Sequence, residues 1–489
     1  MQSLNSIRFN LFPHLFLLII SIFLLFYKLD HQALYLWDES RLAVKACEMI
    51  EGGHYVVPHF HGEPDMWSLK PPLMIWLQVF SIKVFGVNEF AVRFPSAVMG
   101  FLTILLMYVF SIKFLKSSSI GLWASFILLT SLGYMEVHAV RNGEYEALLT
   151  FFLLSGALNW FLYLENIQDG NQYLWLSAIS IGLGVLSKSV AGLLFLPGIC
   201  LYTLFSGKLR SILTDRTFWL AVPVSIGIFI WYYLLREHLN PGYLQAVYDN
   251  ELFGRFGGVI EGHQAPATFY IKDLFGDFLF WLSFLPISLW GLLWAKAKER
   301  RLMIFLLSTG ISYLLLISFG QTKLEWYEIP LYPVMGLLMA MGLQAIFRKI
   351  ASSLLVPAYE WVFSILFLLM IYPFPVMKMW NTINKDMIDG EYMQKFLAQN
   401  SYGEFFNKKA VPDTTWLLYR GYSAHTYFYQ YKLKAEGKEI YMWGPDLARV
   451  GDVALVCEDP FKAELKERAH LTIMDSLYNC ILVRVDSLK

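Results

Sequence analysis

Residues 11–50 read LFPHLFLLIISIFLLFYKLDHQALYLWDESRLAVKACEMI, and the fold turns on the change of character within them. The first sixteen residues are almost wholly apolar, the composition of a segment that crosses the roughly 30 Å hydrocarbon core of a bilayer. A dozen residues later Asp38 and Glu39 stand side by side. Two adjacent acids at the mouth of a membrane segment are expensive to hold there, which points to chemistry at the bilayer surface. A second reading stays open: Asp38 as the N-cap, and Glu39 as a first-turn acid, of a helix running through SRLAVKACEMI.

The rest of the chain follows the apolar segment. Of 489 residues, 56% are hydrophobic and 16% charged, against about 25% charged in soluble domains. An integral membrane protein is the only class that fits. Lysine plus arginine and aspartate plus glutamate both number 39, so the net charge says nothing and the distribution matters. No basic stripe or recognition motif for nucleic acid appears. The four cysteines lack metal-ligand spacing, and Cys457 can pair with Cys480 if their region faces an oxidising compartment. Arg8 precedes the first apolar segment and no small-residue cleavage site follows it, so an uncleaved first span is expected.

Apolar windows predict about eleven spans, near 11–28, 91–112, 119–136, 146–164, 173–187, 190–206, 217–236, 276–295, 302–319, 329–347 and 353–373. The fifth and sixth are short and read as a broken pair around SKSVAG. With a cytoplasmic N-terminus, the inner loops collect Lys113, Lys116, Lys208, Arg210, Arg216, the run KAKERR (296–301), Arg348 and Lys349, as the positive-inside rule requires. The loop near 165–172, with Glu165 and Asp169, is the one exception. The outer, periplasmic side then receives residues 29–90, 237–275, 320–328 and the tail 375–489. Within 29–90, SRLAVKACEMIEGG and KPPLMIWLQVFSIKVFG suit interfacial helices, the first ending at Gly52-Gly53. In the tail, TWLLYRG, GKEIYMW, DVALVCED and CILVRV read as buried strands and FKAELKERAH as a helix, together a small soluble α/β domain beside a transmembrane body of residues 1–374.

This topology gathers the unusual polar residues on the outer side. They are Asp38, Glu39, Lys70 and Arg93 from the first loop and its exit; Arg141, Glu144 and Glu146 from VRNGEYEALLTFF; Glu251, Arg255 and His263; and Lys323, Glu325 and Tyr327. Cations at an interface suit a lipid phosphate, and a carboxylate beside them suits deprotonation of a hydroxyl. Together they describe group transfer from a lipid-linked donor. A transporter or flippase of lipid-linked sugars is the competing class, but a transport path places charge at mid-membrane depth, and the span centres are nearly uncharged. A non-catalytic assembly subunit is a third class. Plainer roles exist for each residue: Lys70 before Pro71-Pro72 as a snorkelling loop lysine, Glu144 and Glu146 as solvation of a helix start, Lys188 as an interface anchor, and His263 as a hydrogen-bonded loop histidine.

The motifs in combination resemble a known family. WDESRLAVKACEMIEGGHYVVPHFHGEPDMWSLKPPLMIWLQVFSIKVFGVNEFAVRFPSA is similar to the first-loop signature of GT-C glycosyltransferases of the protein O-mannosyltransferase superfamily, in the bacterial branch that includes the lipid A aminoarabinose transferases. RNGEYEALLTFF, LSKSVAGLL, RFGGVIEGHQAPATFYI and TKLEWYEIPLYP follow in the family order, so the likeness covers roughly residues 10–350. It implies a GT-C fold and inverting transfer of a sugar from a polyprenyl phosphate to a lipid, glycan or protein acceptor. It also implies Asp38 as catalytic carboxylate with Glu39 in support. Lys70, Arg255, Lys323 and Arg93 would serve the donor phosphate, and Arg141, Glu144, Glu146 and Tyr327 would position acceptor and sugar. His263 matches a loop histidine that can hold a metal in relatives, although a monophosphate leaving group among cations does not require one. The chain departs from the pattern at Glu144 and Glu146, where related chains often carry aspartate; the added methylene moves a carboxylate by roughly 1.5 Å.

Overall fold

A computed structural model describes the chain except residues 1, 167–169, 259–261, 354–372, 386–389, 420 and 444–448. It packs into two compact units. The first comprises Met1–Tyr27, Asp65–Met74 and Ser96–Ile383, and the second Lys28–Pro64, Ile75–Pro95 and Asn384–Lys489.

Among the described residues, six helices are long and apolar enough to cross a membrane: Glu89–Leu115, Glu146–Glu165, Asn171–Leu193, Arg216–Leu239, Ala297–Phe319 and Leu331–Ser353. A seventh crossing is formed if Phe269–Gly276 and Phe280–Leu293, bent by 101°, act as one broken span. The other expected spans are covered by helix Gln2–Phe26 and the short apolar helices Ser118–Leu129 and Leu196–Phe205. The one expected at 353–373 lies almost entirely outside the described residues. The break anticipated around SKSVAG falls at Ser189, whose φ of 54° ends the helix Asn171–Lys188 and opens a 3-10 turn to Leu193.

Small residues let the helices of the first unit approach closely, as lipid-embedded helices do when no hydrophobic effect drives them together. A Cβ on Gly342 would sit 2.1 Å from the carbonyl oxygen of Ser288, and one on Gly198 only 2.5 Å from the Cα of Thr309. Hydroxyls add interhelical hydrogen bonds, such as Ser155 to Ser180 at 2.9 Å and Ser177 to the carbonyl of Gly156 at 2.9 Å. Glu165, the acid that broke the charge rule, accepts from the Arg301 guanidinium at 3.0 and 2.5 Å, with Lys208 3.8 Å away. Its basic neighbours therefore remove the anomaly.

The second unit joins parts of the first polar loop to the tail. Helix Asp38–Gly52 stops at Gly53, whose φ of 70° lets its N–H return to the Met49 carbonyl, the expected glycine stop. Its N-cap is Trp37, which makes no side-chain cap bond. Both acids thus occupy the first turn, where the helix dipole favours them, and Asp38 is not the cap. A hairpin follows, β1 (His59–Phe60) with β2 (Glu63–Pro64). The tail supplies β3 (Thr414–Leu418), β4 (Glu439–Trp443), β5 (Val453–Val456), β6 (Ala469–Leu477) and β7 (Cys480–Leu488), with helices Gly390–Lys408, Ala424–Ala435 and Asp459–Arg468. The sheet order is β4-β3-β5-β7-β6; β3 runs parallel to β4 and β5, and β7 antiparallel to β5 and β6. A disulfide joins Cys457, after β5, to Cys480 at the start of β7.

The tail does not stand apart from the first loop, because buried charges tie them. Lys432 contacts Glu89 at 2.7 Å, the Ala33 N–H donates to Glu404 at 2.6 Å, and the Leu34 N–H donates to the Tyr429 hydroxyl at 3.3 Å. The boundary accordingly falls after Ile383, and 28–64 and 75–95 go with the tail.

Candidate active site

The segment Asp65–Met74 positions the first cation. Asp65 folds the chain by accepting from the N–H groups of Trp67 (2.8 Å) and Ser68 (3.2 Å), an Asx-type turn. Arg236 donates to the Asp65 carbonyl at 2.7 Å and the Tyr243 hydroxyl to the Leu69 carbonyl at 2.8 Å. Pro71-Pro72 then disfavours helix at Lys70, so the helix begins only at Leu73. Lys70 is buried, 3.7 Å from the Glu251 carboxylate and 5.4 Å from the centre of the Tyr145 ring.

The second cation comes from a helix end. Lys188 is the last residue of helix Asn171–Lys188, where the dipole favours a positive charge, and Glu146 opens helix Glu146–Glu165, where it favours a negative one. Both are buried, and the ammonium hydrogen-bonds the Glu146 carboxylate. The Lys188 ammonium also lies 5.0 Å from the centre of the Tyr327 ring, and Tyr327 is fixed by its carbonyl, which accepts from the Tyr313 hydroxyl at 2.7 Å.

These groups line one cleft in the first unit, with about 690 Å³ of atom-free space. Lys70, Glu146, Lys188, Glu251, Tyr313, Thr322 and Tyr327 supply its polar wall; Leu149, Val190, Ala191, Leu194, Ile317, Trp326 and Pro330 make the rest apolar. Two buried ammonium groups, each paired with a carboxylate and bordered by apolar side chains, fit the headgroup of an anion that carries a hydrocarbon chain. The Lys70–Glu251 separation exceeds a direct hydrogen bond, so the Lys70 ammonium is the more available of the two. Glu146 is tied to Lys188 and reaches solvent no more than Lys188 does.

Of the residues named from sequence, the cleft brings together Lys70, Glu146, Lys188, Glu251 and Tyr327. Glu144 instead pairs with His138 at 2.7 Å, and the His138 ring stacks on Trp326, a residue of the cleft wall, at 3.7 Å between centroids. Lys323 turns its ammonium to the Gly320 carbonyl, and burial lowers its pKa below the ordinary lysine value. Its backbone N–H donates to the His263 carbonyl at 2.9 Å. Arg141 clamps the carbonyls of Leu24, Leu25 and Tyr27 at 2.7–3.1 Å, which makes it a structural brace of the first helix end. The Arg255 side chain lies outside the described residues. Among the described residues no three His, Cys, Asp or Glu side chains converge as a metal site.

Asp38, Glu39 and Arg93 belong to the second unit. Glu39 is fully buried and accepts from the Tyr35 N–H at 2.9 Å and from Arg93 at 2.7 and 2.9 Å. Arg93 also donates to the carbonyls of Leu29, Gln32 and Ala33, each at 2.9 Å. All five guanidinium donors are thus engaged, which overturns the expectation that Arg93 holds the donor phosphate. Asp38 is only half-buried. Sequence reading did not single out His138 or Tyr313 for the site; it named Glu251 without a role and left Lys188, between two apolar segments in LSKSVAG, open as an interface anchor.

Residues 69–233 match the family described as dolichyl-phosphate-mannose-protein mannosyltransferase. A protein of Aquifex aeolicus is 28% identical over 333 residues, covering 67% of this chain and 63% of the relative. The undecaprenyl phosphate-alpha-4-amino-4-deoxy-L-arabinose arabinosyl transferase of Pseudomonas savastanoi pv. phaseolicola is 28% identical over 331 residues, covering 66% and 60%. The matches thus span less than two thirds of those relatives' own length. In three dimensions the chain is similar to ArnT from Cupriavidus metallidurans bound to undecaprenyl phosphate, with a TM-score of 0.66 and 15% identity over 96% of this chain and 97% of that one. It is also similar to the Archaeoglobus fulgidus oligosaccharyltransferase, with a TM-score of 0.52 and 12% identity over 88% and 64%. By these likenesses the chain is a multi-pass membrane protein whose fold is similar to that of GT-C membrane glycosyltransferases.

Proposed function

We propose that the protein is an inner-membrane, inverting glycosyltransferase that moves one sugar from a polyprenyl phosphate to a lipid, glycan or protein acceptor at the periplasmic face. The observation that carries this reading is the cleft in which buried Lys70 and Lys188, each beside a carboxylate (Glu251 and Glu146), stand against a largely apolar lining. A phosphate on a prenyl chain has the complementary chemistry, one anion on an apolar stem. The named activities of the relatives, aminoarabinose transfer from undecaprenyl phosphate among them, support the donor class. The Cys457–Cys480 disulfide supports an oxidising location for the tail.

In the reaction the acceptor oxygen bonds to the anomeric carbon as the bond from that carbon to the phosphate oxygen breaks. The bonding pair leaves with the polyprenyl phosphate, and the acceptor proton passes to a carboxylate. One displacement inverts the anomeric centre. Lys70 and Lys188 stabilise the departing phosphate by charge-assisted hydrogen bonds, and Arg255 keeps a phosphate-holding role on the family motif alone. Asp38 is assigned the proton on the strength of the first-loop motif. Glu39, held by Arg93, supports it.

The test is transfer by the purified protein in lipid nanodiscs, supplied with radiolabelled polyprenyl-phosphate sugars and a membrane extract as acceptor. A new glycosidic bond formed without an ion gradient supports the reading, and Asp38→Asn should abolish it while leaving donor binding in place. Movement of the labelled lipid across the bilayer with no new bond would instead establish a flippase.

A further inference from the structure

Trp37, the residue before Asp38, is 53% exposed although it is the N-cap of a well-packed helix. One face of its indole is covered by the Tyr422 ring, 5.0 Å away between centroids and tilted by only 11°. The stack continues from Tyr422 to Phe60 (6.2 Å, 29°) and from Phe60 to His61 (4.3 Å), which meets Tyr427 at 3.7 Å. The Arg41 guanidinium lies 4.2 Å from the Phe60 ring centre and donates to the Tyr422 hydroxyl at 3.4 Å. All these residues belong to the second unit.

The array is built from three separate segments and held in place. His61 and Gly62 both take positive φ, 61° and 78°, as the tight turn of the β1–β2 hairpin requires. The Glu48 carboxylate secures that turn by accepting from both of their N–H groups, at 2.8 and 3.2 Å. A histidine in the left-handed region costs conformational energy, and the two Glu48 bonds offset it. Trp37 leaves an open indole surface directly beside the Asp38 carboxylate in sequence.

We infer that Trp37, stacked on Tyr422, next in sequence to Asp38 and one ring away from Arg41, is a carbohydrate-binding platform that receives a sugar ring of the acceptor. This rests on the glycosyltransferase reading and narrows its acceptor to a glycan or glycolipid. The C–H groups on one face of a pyranose are slightly positive and apolar. They pack on the negative face of an indole, while the ring hydroxyls need a donor and an acceptor at the rim, the chemistry of a guanidinium and a carboxylate. A bilayer-interface belt uses tryptophan and tyrosine differently, as rings whose polar tips reach the headgroups. Here the rings lie in series with a guanidinium against them.

The test uses the full chain in nanodiscs and saturation-transfer NMR with methyl glycosides of glucose, galactose and N-acetylglucosamine. At least one should receive saturation on its ring C–H protons. That signal should fall about five-fold or more in Trp37→Ala, remain largely in Trp37→Phe, which keeps a ring, and be unchanged in Tyr441→Ala, an exposed aromatic of the same unit outside the array. No saturation of any glycoside, equal signal in wild type and Trp37→Ala, or a Trp37→Ala effect confined to binding of empty phospholipid vesicles would each overturn the platform. The assay needs no donor, so its outcome is separable from the catalytic reading. Glycoside binding without transfer from any donor would leave the platform and remove the enzyme. Transfer with an unchanged acceptor KM in Trp37→Ala would do the reverse.

Discussion

Arg93 grips Glu39 with two guanidinium nitrogens, at 2.7 and 2.9 Å, where Glu39 has no solvent exposure. The pair sets the start of the helix that carries Asp38, and its remaining donors hold the chain at Leu29, Gln32 and Ala33. Removing one partner of a buried ion pair leaves an uncompensated charge and costs about 3–5 kcal/mol. Arg93→Ala should therefore lower the thermal midpoint sharply. Arg93→Lys should recover only part, because an ammonium cannot reproduce the two-pronged geometry. A thermal melt in detergent reads both, and a stable Arg93→Ala protein would refute the bracing role.

Lys188 and Glu146 predict an asymmetry in kinetics. Lys188→Met removes a cation from the cleft and should raise the KM for a polyprenyl-phosphate donor about ten-fold or more, equivalent to about 1.4 kcal/mol of lost binding. Glu146→Gln removes the competing carboxylate and should leave donor binding equal or tighter. Steady-state assays at varied donor concentration distinguish the two. Matching losses in both variants would mean that the pair serves folding alone.

The disulfide should stabilise the tail sheet. Cys457 and Cys480 are 23 residues apart, and closing a loop of that size contributes about 3 kcal/mol in the chain-entropy model. Cys457→Ser with Cys480→Ser should expose the tail to limited proteolysis at a lower temperature than the parent. The free thiols Cys47 and Cys200 serve as the internal control in thiol labelling.

His425 makes the stability of the second unit sensitive to acid. It is fully buried, neither ring nitrogen has a hydrogen-bond partner, and burial lowers its pKa from 6.5 to about 3. The unfolded chain therefore binds the proton that the folded one refuses between those values. Its contribution is present in full above the unfolded pKa and is lost as pH falls from about 6.5 toward 3, amounting to about 2 kcal/mol by pH 5. His425→Leu should flatten the acid side of the midpoint-against-pH curve. An identical curve would show that the ring is reached by solvent.

What the sequence revealed was local. The strands at TWLLYRG, GKEIYMW, DVALVCED and CILVRV are where their apolar runs place them, and the helix stop at Gly53 follows from one glycine. Strand β6 escaped because Ala469–Leu477 is an edge strand with mostly exposed or half-exposed side chains, so it carries no apolar run. Lys70 was readable because its site is a short contiguous motif. Lys188 was not, since its meaning comes from Glu146, 42 residues away on another helix. Arg93 misled for the same reason. An exposed cation and a brace look alike until Glu39 is seen 54 residues back.

The tie between Lys432 and Glu89 has a consequence for how the chain is made. Glu89 leaves the ribosome long before its cation does, with Ser96–Ile383 synthesised in between. At ordinary elongation rates of about 5–20 residues per second, the 343 residues from Glu89 to Lys432 take about 17–70 s. Through that interval the first loop holds a carboxylate whose counter-charge does not yet exist. It can complete its own Arg93–Glu39 lock early, but its final packing must wait until Lys432 has been made.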